Sequence, residues 1–211
     1  MRCRIRGVIR KNLKLTSNDK MYPQDLHIHT TYSHGDSSVA PEQTVELIAA
    51  IAHAEVIGIS DHFEYVAMDA FAAYEYDLRQ AGLKVGVEID GHPWVADAAV
   101  YPVDYYIFHC RDKKADYRAI DVLLQTGKPV IIAHPNALAT RLERLPPECF
   151  IEINNRYVWR NDWYAFYHPF VDRFRFVISS DAHQPNWLGQ SAARYAAASL
   201  GIKEHLVFAG V

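Results

Sequence analysis

The chain has 211 residues, of which half are hydrophobic and 22% are charged, and this composition is typical of a soluble globular protein with one substantial domain. No apolar run is long enough to cross a bilayer, and no signal peptide is evident. The three cysteines are an odd number without a C-x-x-C pair, which argues against a disulfide framework and favours a cytoplasmic location.

Charge is distributed unevenly along the chain. Residues 1–20 contain seven Lys or Arg and one Asp, whereas the rest contains 15 basic and 24 acidic side chains. An acidic body lacks the basic face of a protein that binds duplex DNA, so we expect no stable nucleic-acid complex. We interpret residues 1–20 as a basic N-terminal extension that is disordered or non-native. The folded domain is then expected to occupy residues 21–211.

Short apolar runs alternate with helical patterns in this domain. The predicted strands are, in chain order, 25–29, 55–60, 84–89, 104–109, 129–134, 150–154 and 175–180. The predicted helices fall between them, over 41–53, 67–82, 117–127, 162–171 and 186–201. The first begins at Pro41, and the next two end at Gly82 and Gly127. Alternating strands and helices predict βα units around a parallel sheet. Seven such units favour an α/β barrel, or a barrel lacking one strand, over an open sheet.

Histidines and carboxylates follow the predicted strand ends. His27 and His29 are two residues apart, so on a strand they point to one face, with Leu26 and Ile28 on the other. Seven of the eleven histidines lie at or just beyond a strand end. In a βα barrel, these ends converge on the rim that carries the active site. The candidate metal ligands are His27, His29, His34, His62, Glu88, His109, His134, Asp181 and His183.

This set of ligands predicts a centre with two or three divalent ions. Imidazole and carboxylate groups suit Zn, Mn or Fe, and nine ligands exceed the needs of one ion. Each residue also has an ordinary structural interpretation. A histidine at a strand end is often packed or capped, and Asp61 or Asp181 could cap the next helix. We favour the metal centre because the alternative requires every one of these residues to have an ordinary structural role at the same time.

Six motifs, in this order, resemble the PHP family (polymerase and histidinol phosphatase domains): "DLHIHTTYSHGD", "SDH", "GVEI", "FHC", "AHP" and "SSDAH". The resemblance covers nearly all of residues 21–200. It implies a distorted (β/α)7 TIM-like barrel with a trinuclear metal centre that hydrolyses phosphoesters. The pattern is closest to the phosphatase members, and the absence of a following polymerase module implies a free-standing enzyme.

The resemblance also implies a distribution of the ligands among three ions. His27, His29, Glu88 and Asp181 would hold the first ion. Glu88 would bridge to a second ion, which is shared with His109 and His134. A third ion would be held by His34, His62 and His183.

The predicted function is hydrolysis of a small phosphomonoester by a metal-bound hydroxide. Asp61 is the candidate that orients a ligand imidazole or relays a proton, with helix capping as the alternative. Arg156 is the first candidate for binding the phosphate, followed by Arg111, and Asn154 could donate a hydrogen bond at the same rim. Three alternatives stay open: a phosphodiesterase or 5′–3′ exonuclease acting on short oligonucleotides, a metal-dependent amidohydrolase, and a metal-bound regulatory or structural domain without catalysis.

Overall fold

The computed structural model describes residues 21–208, so the predicted basic extension lies outside the described residues. Seven parallel strands form one sheet in sequential order, each paired with the next along the chain. The strands are β1 (Tyr22–Asp25), β2 (Ala54–Ile59), β3 (Lys84–Ile89), β4 (Tyr105–Phe108), β5 (Val130–Ile132), β6 (Phe150–Asn154) and β7 (Arg175–Ser179). The sheet curls into a nearly closed barrel, which confirms the predicted α/β (β/α)7 TIM-like fold.

Helices alternate with the strands and cover the barrel. They are α1 (Val45–Ile51), α2 (Phe63–Val66), α3 (Phe71–Gln80), α4 (Val95–Ala98), α5 (Lys114–Leu124), α6 (Trp163–Tyr167) and α7 (Ser191–Ser199). The five predicted helices correspond to α1, α3, α5, α6 and α7, whereas α2 and α4 are single turns that the sequence did not reveal. The first helix begins after Thr44, whose hydroxyl accepts a hydrogen bond from the Leu47 N–H, and not at Pro41.

The first and seventh strands close the barrel through side chains and one isolated bridge. The strand predicted over 25–29 pairs regularly only over Tyr22–Asp25. Beyond it, Ile28 bridges to Ala182, and the His29 N–H donates to the Ala182 carbonyl at 2.9 Å. The Asp25 carboxylate accepts a hydrogen bond from the Ser180 N–H at 3.0 Å. These contacts place the segment after β1 beside the segment after β7.

The barrel interior below the strand ends is filled by a small apolar cluster. Its members are Leu26, Tyr105, Ile107, Ile131, Ala133, Phe150 and Val177. The Tyr105 side chain crosses the interior, and its hydroxyl donates a hydrogen bond to the Leu26 carbonyl at 2.7 Å. A Cβ at Gly58 or Gly86 would overlap the Tyr105 ring, so these glycines leave the space that the ring occupies. The filled interior confines any site to the rim of the barrel.

Two cysteines are buried in the described part of the chain. Cys110 and Cys149 are both fully inaccessible, and burial raises the pKa of each thiol to about 12. Because the thiolate is the reactive form, we expect neither to react in the native state. In the Cys3→Ser variant, a thiol reagent should label no cysteine before denaturation and two afterwards. Rapid labelling of the native variant would contradict this burial.

Within residues 21–208, no helix combines the length and the apolar character needed to span a membrane.

Candidate metal centre

Glu88, at the end of β3, is the centre of a cluster of imidazoles. Its side chain is 2% exposed, and each carboxylate oxygen faces two histidines. Oε1 lies 3.0 Å from His27 Nε2 and 2.5 Å from His109 Nε2. Oε2 lies 3.0 Å from His62 Nδ1 and 3.3 Å from His29 Nε2. The four imidazoles follow β1, β2 and β4, so the carboxylate joins separate strand ends at one point.

The ends of β5 and β7 complete the cluster. His134 Nε2 lies 3.7 Å from Glu88 Oε1. Asp181 Oδ1 lies 3.7 Å from Nε2 of both His27 and His29, and 3.4 Å from His183 Nδ1. Together with the four imidazoles around Glu88, these contacts bring together eight of the nine predicted ligands.

Two of these residues have left-handed backbone conformations. The φ angle is 25° at His134 and 55° at Asp181. Such conformations cost about 1–3 kcal/mol each for residues other than glycine, and they persist where the surroundings hold them. Each is the second residue beyond the end of its strand, β5 or β7. The fold therefore accepts backbone strain to aim these two side chains at the cluster.

His34 is the one predicted ligand that the structure does not bring to the cluster. Its side chain is exposed, and its Nδ1 lies 3.2 Å from the carbonyl oxygen of Tyr32. Asp36 takes its place, because the turn that begins at Ser33 directs this carboxylate inward. Asp36 Oδ2 lies 3.0 Å from His183 Nε2 and 3.4 Å from His62 Nε2. Asp36 was not among the ligands predicted from the sequence, although it ends the motif "DLHIHTTYSHGD".

The buried histidines and carboxylates form three overlapping groups that could each hold a metal ion. Within each group, the candidate ligand atoms lie within 4.8 Å of one another. The groups are His27 with His29 and Glu88, Glu88 with His109 and His134, and His29 with His62 and His183. Glu88 belongs to two of the groups, which is the arrangement expected of a carboxylate that bridges two ions.

Charge in the cluster is balanced between Glu88 and the imidazoles. Burial raises the pKa of Glu88, but the adjacent His109 and His27 outweigh burial and hold that pKa well below its usual range. Burial lowers the pKa of His109, and the Glu88 charge raises it to about 9. Burial, with the nearby His183 and His62, holds the pKa of His29 well below its usual range. Glu88 is therefore in the ionised form that binds metals, whereas metal binding at His109 would release the proton that the Glu88 charge favours there.

The side chains present fit divalent metal ions. Two buried imidazole nitrogens of the cluster, His29 Nδ1 and His134 Nδ1, have no hydrogen-bond partner within the described residues. Unpartnered buried polar atoms are rare in folded proteins and call for a ligand or an ion. Nitrogen and oxygen donors in this mixture are those of Zn, Mn and Fe sites.

Two carboxylates outside the ligand groups orient individual imidazoles. Glu152 Oε1 lies 2.8 Å from His27 Nδ1, and its Oε2 accepts a 2.6 Å hydrogen bond from the His134 N–H. Burial raises the pKa of Glu152, but the charge and hydrogen bond of His27 bring it down to about 2. Asp90 Oδ1 lies 3.0 Å from His109 Nδ1. Carboxylates in this position fix the tautomer and the direction of a metal-binding imidazole.

Replacing Glu152 with Gln should weaken metal binding without emptying the site. The amide keeps the volume but removes the charge that holds the Nδ1 proton of His27. Loss of such an orienting group typically costs about 10–100-fold in metal affinity. Chelator competition against the wild type measures the change, with the exposed Glu143→Gln as the control. Equal affinities in all three proteins would contradict an orienting role for Glu152.

Within the described residues, the Asp61 carboxylate has no hydrogen bond to a histidine ring nitrogen or to the first turn of α2. It is fully buried, and it accepts hydrogen bonds from the Thr30 N–H at 2.7 Å and from the Thr30 and Ser33 hydroxyls at 2.6 Å. Burial raises the pKa of Asp61 to about 6 against the effect of these donors. Asp61 therefore holds the loop that carries Asp36, and none of the three roles predicted for it is supported by a contact in the structure.

Asn154 is also buried below the rim. Its side-chain Nδ2 donates to Glu152 Oε2 at 3.0 Å and to Asp181 Oδ2 at 3.1 Å. Its side-chain Oδ1 accepts a hydrogen bond from the Arg156 backbone N–H at 2.9 Å. These bonds tie β6 to the end of β7. Asn154 supports the ligands from below, so the structure does not place it where a substrate would meet it.

A cavity of about 390 Å³ opens above the cluster, and three arginines line it. Arg111 Nη2 is paired with Asp90 Oδ1 at 2.5 Å. Arg156 Nη1 lies 3.2 Å from both ring nitrogens of His183 and 3.7 Å from Asp181 Oδ1. The third arginine is Arg160. The cavity thus joins the cluster of candidate metal ligands to several guanidinium groups.

The fold and the cluster together define an α/β barrel with a candidate polynuclear metal centre at the C-terminal ends of its strands. No model of a known protein family matches the sequence, and a search of curated proteins found no match. The PHP resemblance therefore stays a prediction that depends on the six motifs and their order. The geometry itself supports the coarser statement that buried His, Glu and Asp groups here could bind metal ions.

Proposed function

We propose that the protein is a metal-dependent hydrolase of phosphate esters that acts on small phosphomonoesters. The observation that carries the proposal is Glu88, whose two oxygens are each faced by two imidazoles, beneath a cavity lined by arginines. The imidazoles around the Glu88 carboxylate favour divalent ions. The arginines favour an anionic substrate whose oxygens accept hydrogen bonds from a guanidinium, such as a phosphate group.

Divalent ions in such a site lower the pKa of water and neutralise the oxygens of a phosphoryl group. The protein's own residues would supply the remaining functions. Glu88, as an anion, offsets the charge of the bound cations, and Glu152 and Asp90 hold His27 and His109 in fixed directions. Arg156 stands beside Asp181 and His183, from where its guanidinium can donate to a phosphoryl oxygen. Donors fixed beforehand near developing charge are among the largest contributions to catalysis.

The arginines also separate this proposal from the alternatives. A metal-dependent amidohydrolase needs an ion and a general base but no guanidinium groups to bind the substrate. A domain without catalysis needs no accessible cavity above its ions. Here Arg156 is 24% exposed and lines that cavity, within reach of the candidate metal ligands. The cavity and its arginines therefore support phosphoester hydrolysis over both alternatives.

The test is metal analysis of the purified protein, followed by assays with matched esters. The protein loaded with Zn, Mn or Fe is given phenyl phosphate, bis-phenyl phosphate and an anilide. Hydrolysis of the monoester, with two or three ions per chain, supports the proposal. Hydrolysis of the diester alone indicates the phosphodiesterase, and cleavage of the anilide alone indicates an amidohydrolase. Full metal content with no turnover of any of the three compounds would refute the proposal.

A further inference from the structure

The three arginines of the cavity differ in their partners. Arg111 is paired with Asp90, and Arg156 contacts His183 and Asp181. Arg160 is exposed, and no carboxylate of residues 21–208 lies within 4 Å of its guanidinium. Arg160 therefore presents an uncompensated positive charge at the cavity, whereas Arg111 is already neutralised by a carboxylate.

Arg160 is held in place by aromatic stacking. Its guanidinium carbon lies 4.4 Å from the centroid of the Tyr157 ring, and the Tyr157 ring lies 4.7 Å from that of His134. The two rings are tilted by 53°, so a chain of side-chain contacts runs from a candidate metal ligand to the rim of the cavity. A guanidinium that stacks on an aromatic face keeps its in-plane N–H donors available for an anion.

The cavity has room for more than one phosphoryl group. Its volume of about 390 Å³ is within the range of pockets that bind small organic ligands, roughly 300–1,000 Å³. A phosphoryl group beside Glu88 and Arg156 would occupy only the floor. The organic part of the substrate would then extend past the Tyr157 ring toward Arg160. The position of Arg160 thus corresponds to the far end of the leaving group.

We propose that Arg160 binds a second anionic group of the substrate, so that the preferred substrates carry a carboxylate or another phosphate on the leaving group. This inference rests on the proposed function and names its substrate class. The bound phosphoryl group uses the metal centre and Arg156, and the second anion uses Arg160. Arg160 is then a specificity residue that discriminates leaving groups with a carboxylate or a phosphate from neutral ones.

Non-hydrolysable phosphonates test the inference independently of turnover. Benzyl phosphonate and 4-carboxybenzyl phosphonate differ only in the distal carboxylate, and a 4-phosphonobenzyl compound supplies the phosphate-like case. We measure their binding to the metal-loaded protein by calorimetry for the wild type, Arg160→Ala, Arg160→Lys and the control Arg118→Ala. Arg118 is an exposed arginine of α5 that does not line the cavity.

We expect the wild type and Arg118→Ala to bind the carboxylate or second phosphonate about tenfold more tightly than the parent compound, as one charge-assisted hydrogen-bonding pair allows. Arg160→Ala should bind all three equally, and Arg160→Lys should keep part of the preference. With ester substrates, the same preference should be found in KM for the wild type and Arg118→Ala, and it should be lost in Arg160→Ala.

Two results would overturn the inference. One is a wild type that binds all three phosphonates alike or not at all. The other is a preference that survives in Arg160→Ala. Both are distinct from failure of the proposed function, in which the loaded protein binds the phosphonates but hydrolyses no phosphate ester. Comparison of the carboxylate with the second phosphonate then identifies which anion the site prefers.

Discussion

Glu88→Gln should reduce phosphoester hydrolysis by about a thousandfold and remove most of the bound metal. Metal ions contribute several kcal/mol to transition-state stabilisation, and each ~1.4 kcal/mol corresponds to a tenfold change in rate. The substitution removes the one carboxylate that is shared by two of the three candidate ligand groups. It keeps the volume of the side chain, so the effect on packing is small.

The reason for so large an effect is the charge on Glu88. Although burial raises the pKa of Glu88, His109 and His27 hold that pKa well below its usual range, so the side chain is an anion at neutral pH. A neutral amide would offset none of the charge of the cations. Its NH₂ group would also face the imidazole nitrogens, which lie 2.5–3.3 Å from the carboxylate oxygens. The affinity for both ions should therefore fall together.

Metal content per chain after dialysis against metal-free buffer, and turnover of phenyl phosphate, measure the two effects. Circular dichroism establishes that the variant is folded, and the exposed Glu143→Gln is the control for the substitution itself. Full metal content and unchanged turnover in Glu88→Gln would show that Glu88 is not a bridging ligand. Loss of turnover with full metal content would mean that Glu88 is needed for catalysis but not for metal binding.

The strands and the position of the site could be predicted from the sequence because apolar runs and strand-end histidines are local signals. The histidines His27 and His29 do converge, with their Nε2 atoms 3.2 Å apart. The prediction that Leu26 and Ile28 share the opposite face was wrong. Leu26 packs inside the barrel, and Ile28 packs in the larger cluster outside it. Regular strand geometry ends at Asp25, so strict alternation no longer applies to this segment.

The supporting carboxylates differ in how predictable they were. Glu152 is a charged residue in the middle of a strand that is buried along its whole length, and such a residue needs a charged partner inside the protein. The sequence therefore contains a signal that Glu152 has a partner in the interior. Asp90 and Asp36 lie in loops, and their contacts depend on how those loops fold over the rim. No spacing rule in the sequence places a loop carboxylate against a particular imidazole.

In the loop after β1, the ligand predicted from the sequence differs from the residue that the structure places at the cluster. The PHP resemblance implies His34 as a ligand of the third ion, whereas the structure directs Asp36 to that position. Asp36 Oδ2 faces both His62 and His183. Burial raises the pKa of Asp36, but a hydrogen bond from the Ser38 N–H and the nearby His183 lower it below its usual value. Asp36 is therefore an anion that faces two imidazoles of one candidate ion site.

Asp36→Ala should bind about one ion fewer per chain than the wild type, because an ion held by the two imidazoles would lose the carboxylate that faces both of them. His34→Ala should keep the full metal content, since its side chain is exposed and its Nδ1 lies near the Tyr32 carbonyl oxygen. The two variants are matched truncations in one loop. Metal content per chain and chelator competition distinguish them. The opposite pattern, with an ion lost only in His34→Ala, would mean that the loop rearranges around bound metal and that the motif predicts the ligand correctly.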